Sequence, residues 1–144
     1  MKKIIVINGP NINILGMRET GIYGNKTYKE LVEEIKAYAS DKGASLDEFQ
    51  SNCEGVIIDK LQELLYKDYD ALIINPAAYS HYSYAIYDAL KALKLKKVEV
   101  HLTNILARDE FRQKSITAPA CDGVITGFNF ESYKLAIDYI LREE

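Results

Sequence analysis

Apolar residues fall along this chain in two rhythms, short unbroken runs and longer stretches spaced by three and four. Ile4, Ile5, Val6 and Ile7 form one such run, the pattern of a strand buried on both faces. Asn8-Gly9-Pro10-Asn11 breaks it. Thr27-Tyr28-Lys29-Glu30 has the spacing of a capping box. Leu31, Ile35 and Tyr38, with Val32 and Ala39 beside them, then form one helical stripe that Gly43 is placed to end. A weak strand is predicted over residues 45–50. Helical spacing returns at Ile57, Ile58, Leu61, Leu64 and Leu65. Ala71 to Ile74 is a second buried strand, stopped by Asn75-Pro76. A Tyr/Ala-rich helix is predicted from about Ser83 to Leu93, strands over residues 98–102 and 123–126, and a last helix carrying Tyr133, Ala136, Ile137 and Ile140.

Five strands alternating with helices imply a parallel sheet with helices on both faces, a three-layer α/β sandwich. Right-handed crossovers make the flavodoxin-like order 2-1-3-4-5 the expected topology. Such folds bind ligands beyond the carboxyl ends of the strands, near the switch point between strands 1 and 3. Strand 1 brings Asn8 and Asn11 there, strand 3 brings Asn75 and strand 4 brings His101. Polar groups from three separate strands thus converge on one edge.

Composition narrows the class. With 144 residues, 48% hydrophobic and 27% charged, the chain reads as one domain, 1–144, large enough for a full core. The net charge of −3 and the lack of a basic run argue against nucleic acid or an acidic membrane as partner. The apolar run after Met1-Lys2-Lys3 is too short for a signal peptide, and no stretch reaches transmembrane length. Cys53 and Cys121 fit neither a zinc pattern nor a disulfide framework, so a reducing, cytoplasmic setting is expected.

Glu99 precedes His101 by two residues, so both side chains leave one face of a strand. A carboxylate there fixes the tautomer of the imidazole and favours its charged form, as acid–base chemistry requires. A satisfied ion pair at a strand end is the structural alternative. His81 follows strand 3, where binding a substrate and capping the next helix both fit. The loop after strand 1 carries Arg18 and Tyr23 among Gly16, Gly21 and Gly24. An unperturbed tyrosine titrates near ~10, and an adjacent guanidinium favours the phenolate. The flanking glycines would let this segment close over a ligand. Arg108 and Arg112 stand four apart, as on one face of a helical turn. They read either as a solvated pair bridged to Asp109 and Glu110 or as a clamp for a small anion, helped by backbone N–H groups near Leu102 and Thr103. No G-x-x-x-x-G-K-[ST] loop, G-x-G-x-x-G fingerprint or metal-spaced cluster is present. A receiver domain would carry an acidic cluster after strand 1, and a flavin binder a Thr/Ser-rich loop; this chain has asparagines.

The segments INGPNINILGMRETGIYG, QSNCEG, INPAAYSHYSYA, EVHLTN and ARDEFRQKS, with the tail GVITGFNFESYKLA, stand in the order and spacing of the type II 3-dehydroquinate dehydratases, which the chain resembles. The resemblance implies cofactor-free dehydration of 3-dehydroquinate to 3-dehydroshikimate by anti elimination through an enolate, in aromatic amino acid biosynthesis or quinate breakdown. Tyr23 would remove the C2 proton, with Arg18 making it ionisable and Asn11 holding the enolate through water. His101, oriented by Glu99, would protonate the departing C1 hydroxyl. Asn75, His81, Arg112 and the Leu102-Thr103 backbone match substrate-binding positions. Asp88 matches a position that reaches a neighbouring subunit's site, and the family's assembly is a homododecamer, a tetramer of trimers. The chain departs from the family pattern at Ala77, usually Gly, at Thr20-Gly21, where the segment usually contains Pro, and at Tyr82, Tyr84 and Tyr87.

Overall fold

The computed structural model describes residues 1–17 and 25–142. Five parallel strands, β1 (Lys3–Asn8), β2 (Ser45–Gln50), β3 (Ala71–Asn75), β4 (Lys96–His101) and β5 (Gly123–Thr126), form one sheet in the order β2-β1-β3-β4-β5. This is the expected flavodoxin-like topology. Helices α1 (Tyr28–Asp41), α2 (Glu54–Glu63), α3 (Tyr84–Lys91), α4 (Glu110–Gln113) and α5 (Glu131–Leu141) separate or follow the strands.

Side-chain alternation along the strands builds two cores. Ile4 and Val6 of β1, Ala71 and Ile73 of β3, and Val98 and Val100 of β4 pack with Leu31 and Ile35 of α1 and Tyr133 and Ile137 of α5. Ile5, Ile7, Leu72 and Ile74 point the other way, against Ile57 and Leu61 of α2 and Ile86 and Leu90 of α3. Each fully buried aliphatic side chain contributes about 1.5–3 kcal/mol. The paired faces explain why β1 and β3 are apolar throughout.

On β4 the face turned towards α2 and α3 is polar instead. Lys97 is buried there with its ammonium donating to the carbonyls of Leu90, 2.8 Å, and Leu93, 2.7 Å. It adds a donor to carbonyls in and just past the last turn of α3, of which Leu90 O also accepts the Leu93 N–H at 3.1 Å. Glu99 and His101 follow on the same face.

Local signals account for the boundaries. The Thr27 hydroxyl accepts the Glu30 N–H at 3.2 Å, capping α1. At its other end Gly43 takes φ 81°, Ala44 N–H reaches Ala39 O at 2.9 Å and Gly43 N–H reaches Ser40 O at 3.0 Å. That pair of bonds is a Schellman closure. Three boundaries differ from expectation. β4 begins at Lys96 and ends at His101, because parallel pairing to Ala71 and Leu72 recruits the two lysines. The helix after β3 is shorter, Tyr84–Lys91, and Ser83 is its cap, accepting the Ile86 N–H at 3.0 Å. Leu64 and Leu65 follow the end of α2 at Glu63. Among the described residues no helix is long and apolar enough to cross a membrane.

Candidate active site

Strand register sets the floor of the site. Gln50, Asn8 and Asn75 lie side by side at the carboxyl ends of β2, β1 and β3. β4 runs two residues past the level of Ile74, to His101. A cleft opens over these ends, lined by Asn11, Asn75, His81, His101, Leu102, Thr103, Arg108 and Arg112 among others. Of the predicted site residues, all of these except Arg108, read only as the second arginine, were assigned roles, and the fold brings them together. Asp88 is elsewhere, exposed on α3 in a shallow groove with Ile58, Gln62 and Leu65. Arg18 and Tyr23 lie outside the described residues.

The two arginines reach the cleft by a different route from the predicted helical face. Arg108 has extended backbone, φ −96° and ψ −174°, and the helical turn opens only at Glu110. An Asp109 with φ −53° and ψ 149° separates them. Both nevertheless line the same cleft.

His101 Nε2 stands 2.7 Å from Glu99 Oε2, and the carboxylate is fully buried. Nε2 thus gives its proton to Glu99, which leaves Nδ1 for a ligand. Glu99 also accepts the Ser115 hydroxyl at 2.6 Å on Oε2 and the Thr117 hydroxyl on Oε1.

His81 is held at Nδ1, which donates to Lys114 O at 2.8 Å. Its pKa is pushed below the usual histidine value. Burial is the largest cause, opposed by the bond to the Lys114 carbonyl and reinforced by the positive charge of His101, Arg112 and Arg108 nearby. The ring is therefore the neutral Nδ1–H tautomer at neutral pH, and Nε2 is an acceptor.

Asn75 is braced from behind. Its Nδ2 donates to the Tyr133 hydroxyl at 3.0 Å, and its Oδ1 accepts the Ala77 N–H at 3.0 Å. Tyr133, fully buried, passes its own proton to Asn8 Oδ1 at 2.6 Å. Burial pushes this phenol up, so it remains a hydroxyl. Tyr28, also raised by burial and then by its bond to Glu48, does the same. Among the described residues no tyrosine lines the cleft.

These arrangements support acid–base chemistry on a small anion. Two guanidiniums and two imidazoles surround a space floored by carboxamides, and the buried Glu99 is hydrogen-bonded to one of the imidazoles. Residues 2–141 match the family model described as dehydroquinase class II. The chain belongs to the class II dehydroquinases. It is 55% identical over 135 residues to the 3-dehydroquinate dehydratase of Clostridium beijerinckii, covering 94% of this chain and 92% of that one. It is 52% identical over 143 residues to the 3-dehydroquinate dehydratase of Caldicellulosiruptor bescii, with 99% and 98% covered. The crystal structure of type II dehydroquinase from Butyrivibrio crossotus superposes with a TM-score of 0.96 at 49% identity, covering 98% of each chain.

Within this class II dehydroquinase fold, the residues that hold the Asn11 turn were not singled out from the sequence. Asn11 takes φ 68°, and its N–H donates to Asn52 Oδ1 at 3.0 Å. Gln50 Nε2 donates to Gly9 O and to Asn52 Oδ1, each at 3.0 Å. The Tyr79 hydroxyl closes the set on Asn52 O at 2.6 Å. The strand order carried a signal for them, since QSN ends the strand beside β1. Gly16 packs so closely against Asn25 and Lys26 that a Cβ would meet their carbonyl oxygens at 2.9 and 3.0 Å.

Proposed function

We propose that this chain dehydrates 3-dehydroquinate to 3-dehydroshikimate by anti elimination, with Tyr23 as base and His101 as acid. Tyr23, made ionisable by Arg18, takes the C2 proton, and the C–H electron pair moves into the ketone to form an enolate. Asn11 steadies that enolate through water. The enolate then reforms the ketone as the C1–O bond breaks, and His101 gives the leaving hydroxyl its proton, releasing water.

The observation that carries this reading is the Glu99–His101 pair. One ring nitrogen is tied to a buried carboxylate at 2.7 Å, and the ring borders a cleft that Arg108, Arg112 and His81 also line. An acid must be held in one orientation to meet a leaving group, and this imidazole is. The role of Tyr23 as base rests on the segment INGPNINILGMRETGIYG, whose match to the family's motif implies it. Arg112, His81, Asn75 and the Leu102-Thr103 backbone match substrate-binding positions of the family and hold the substrate.

The proposed assembly rests on Asp88, which matches a family position that reaches a neighbouring subunit's site. Asp88 sits on α3 beside exposed Tyr84, over a groove lined by Ile58, Leu65, Ala85 and Ala89. This face meets a neighbouring subunit, to whose site Asp88 reaches, within trimers that build a dodecamer. Light scattering that gives an active monomer rejects the assembly, and full activity in Asp88→Ala rejects the shared site. The free cysteines accord with a cytoplasmic setting.

The deciding assay adds 3-dehydroquinate to the purified chain and follows the enone absorbance of 3-dehydroshikimate. Absence of that signal overturns the reaction.

A further inference from the structure

Ser115 and Thr117 lie outside every role given above, yet among the described residues their hydroxyls make two of the three hydrogen bonds to the Glu99 carboxylate. We infer that they are positioning residues for the acid: together they lock both oxygens of Glu99, so that Glu99 holds the His101 ring in one orientation. The inference rests on the reading of His101 as the acid.

A carboxylate is an acceptor only, and burying one without donors is costly. Glu99 and Thr117 are both fully buried. The Ser115 oxygen accepts the Ala118 N–H at 3.0 Å and lies 3.3 Å from the Thr117 oxygen, and because a carboxylate can only accept, its single proton goes to the nearer Glu99 Oε2 at 2.6 Å. The Thr117 proton goes to Oε1. With one hydroxyl donor on each oxygen the carboxylate plane is held against rotation, and Oε2, which also faces the imidazole, stays 2.7 Å from His101 Nε2. With the imidazole alone as donor, the group would be free to rotate about its last torsion and carry the ring with it.

The segment bearing these hydroxyls is itself anchored beside the cleft. Lys114 O accepts from His81 Nδ1 at 2.8 Å, and Ile116 N–H donates to Ser80 O at 2.7 Å. Consecutive residues 114–117 thus fix both histidines, one through a carbonyl and the other through Glu99.

The test uses Thr117→Val, which keeps shape and removes the donor, Thr117→Ser, which restores it, and the half-buried Ser115→Ala. Thr117→Val and Ser115→Ala should each lower kcat about tenfold, the size of coupling within one hydrogen-bonded network, with KM within about twofold. Thr117→Ser should recover most of the loss. In a Glu99→Ala background Thr117→Val should cost little more, because both acceptor oxygens are then gone. A reading without substrate comes from the Nε2 proton of His101, one of only two histidines. Held against the buried Glu99, it should exchange slowly with solvent in the wild type and in Thr117→Ser, and its resonance should be lost in Thr117→Val and Ser115→Ala. Wild-type kcat in both deletions, an undiminished loss in the Glu99→Ala background, or an unchanged proton signal would overturn the inference. Should Thr117→Val not fold, Ser115→Ala and Thr117→Ser still decide it. If the wild type fails to turn over 3-dehydroquinate, the function falls, while the His101 resonance still reports on the clamp.

Discussion

Gly9 and Pro76 touch backbone to backbone: a Cβ on Gly9 would stand 2.5 Å from the Pro76 carbonyl oxygen and 2.7 Å from its carbon. The Gly9 N–H also donates to Asn75 O at 2.8 Å. The ends of β1 and β3 are therefore pressed together directly beneath the cleft. Gly9→Ala should force them apart, since a backbone neighbour cannot swing aside. Overpacking of this kind costs about 1–3 kcal/mol, and displacement of Asn75 should lower kcat/KM as well. A variant with wild-type melting temperature and activity would show that the strand ends yield more readily than their packing implies.

Two residues further on, Ala77 holds φ 53°, a left-handed conformation that disfavours any residue with a Cβ. The Asn75 side chain pins it there by accepting its N–H. Ala77→Gly relieves a strain of about 1–2 kcal/mol and returns about 0.5–1 kcal/mol to the flexibility of the unfolded chain. A net gain of roughly 0.5–1 kcal/mol is expected, or a few degrees in melting temperature. Unchanged or lower stability in Ala77→Gly would show that the turn is not strained.

Ala77 also marks how far the sequence could be read. Its departure from glycine was visible by resemblance, while its positive φ needed the coordinates. The sheet order was legible because β1 and β3 are apolar on both faces, which only a central strand between helical layers requires. The convergence of Asn11, Asn75 and His101 followed from that order. Tyr133 was legible only as core, since its hydroxyl meets Asn8 across 125 positions and leaves no periodic trace. Ser115 and Thr117 are hidden for the same reason, 16 and 18 positions from Glu99. Arg108 and Arg112 do line one cleft, but not as one helical face, because a spacing of four implies that only if the helix is continuous, and it opens only at Glu110.

His81 gives the stability a pH dependence of known sign. Its pKa is lowered in the folded state, chiefly by burial, so the unfolded chain binds the proton more readily. The contribution is fully present above the ordinary histidine value of ~6.5 and is lost as pH falls through the folded value. His81→Asn, which keeps an N–H to offer Lys114 O but cannot titrate, should lose less stability than the wild type between about pH 7 and pH 5. Urea midpoints at the two pH values measure this. Equal losses in both proteins would mean that another group carries the dependence.

The two proposed proton-transfer groups can be separated by exchange at C2. His101→Ala should lower turnover by ~10²–10⁴, the usual contribution of a general acid, because loss of the hydroxyl becomes slow. Glu99→Gln should be milder, since the imidazole stays in place but loses its anionic partner. In His101→Ala the base is untouched, so the enolate still forms and returns, and deuterium from solvent should enter C2 of 3-dehydroquinate faster than product appears. Tyr23→Phe should bind substrate yet show neither exchange nor product. The contrast is diagnostic, because a residue that only shapes the cleft would depress both rates together. Exchange surviving in Tyr23→Phe would remove the tyrosine from its role as base. Full turnover in His101→Ala would reduce the Glu99–His101 pair to a buried ion pair at a strand end.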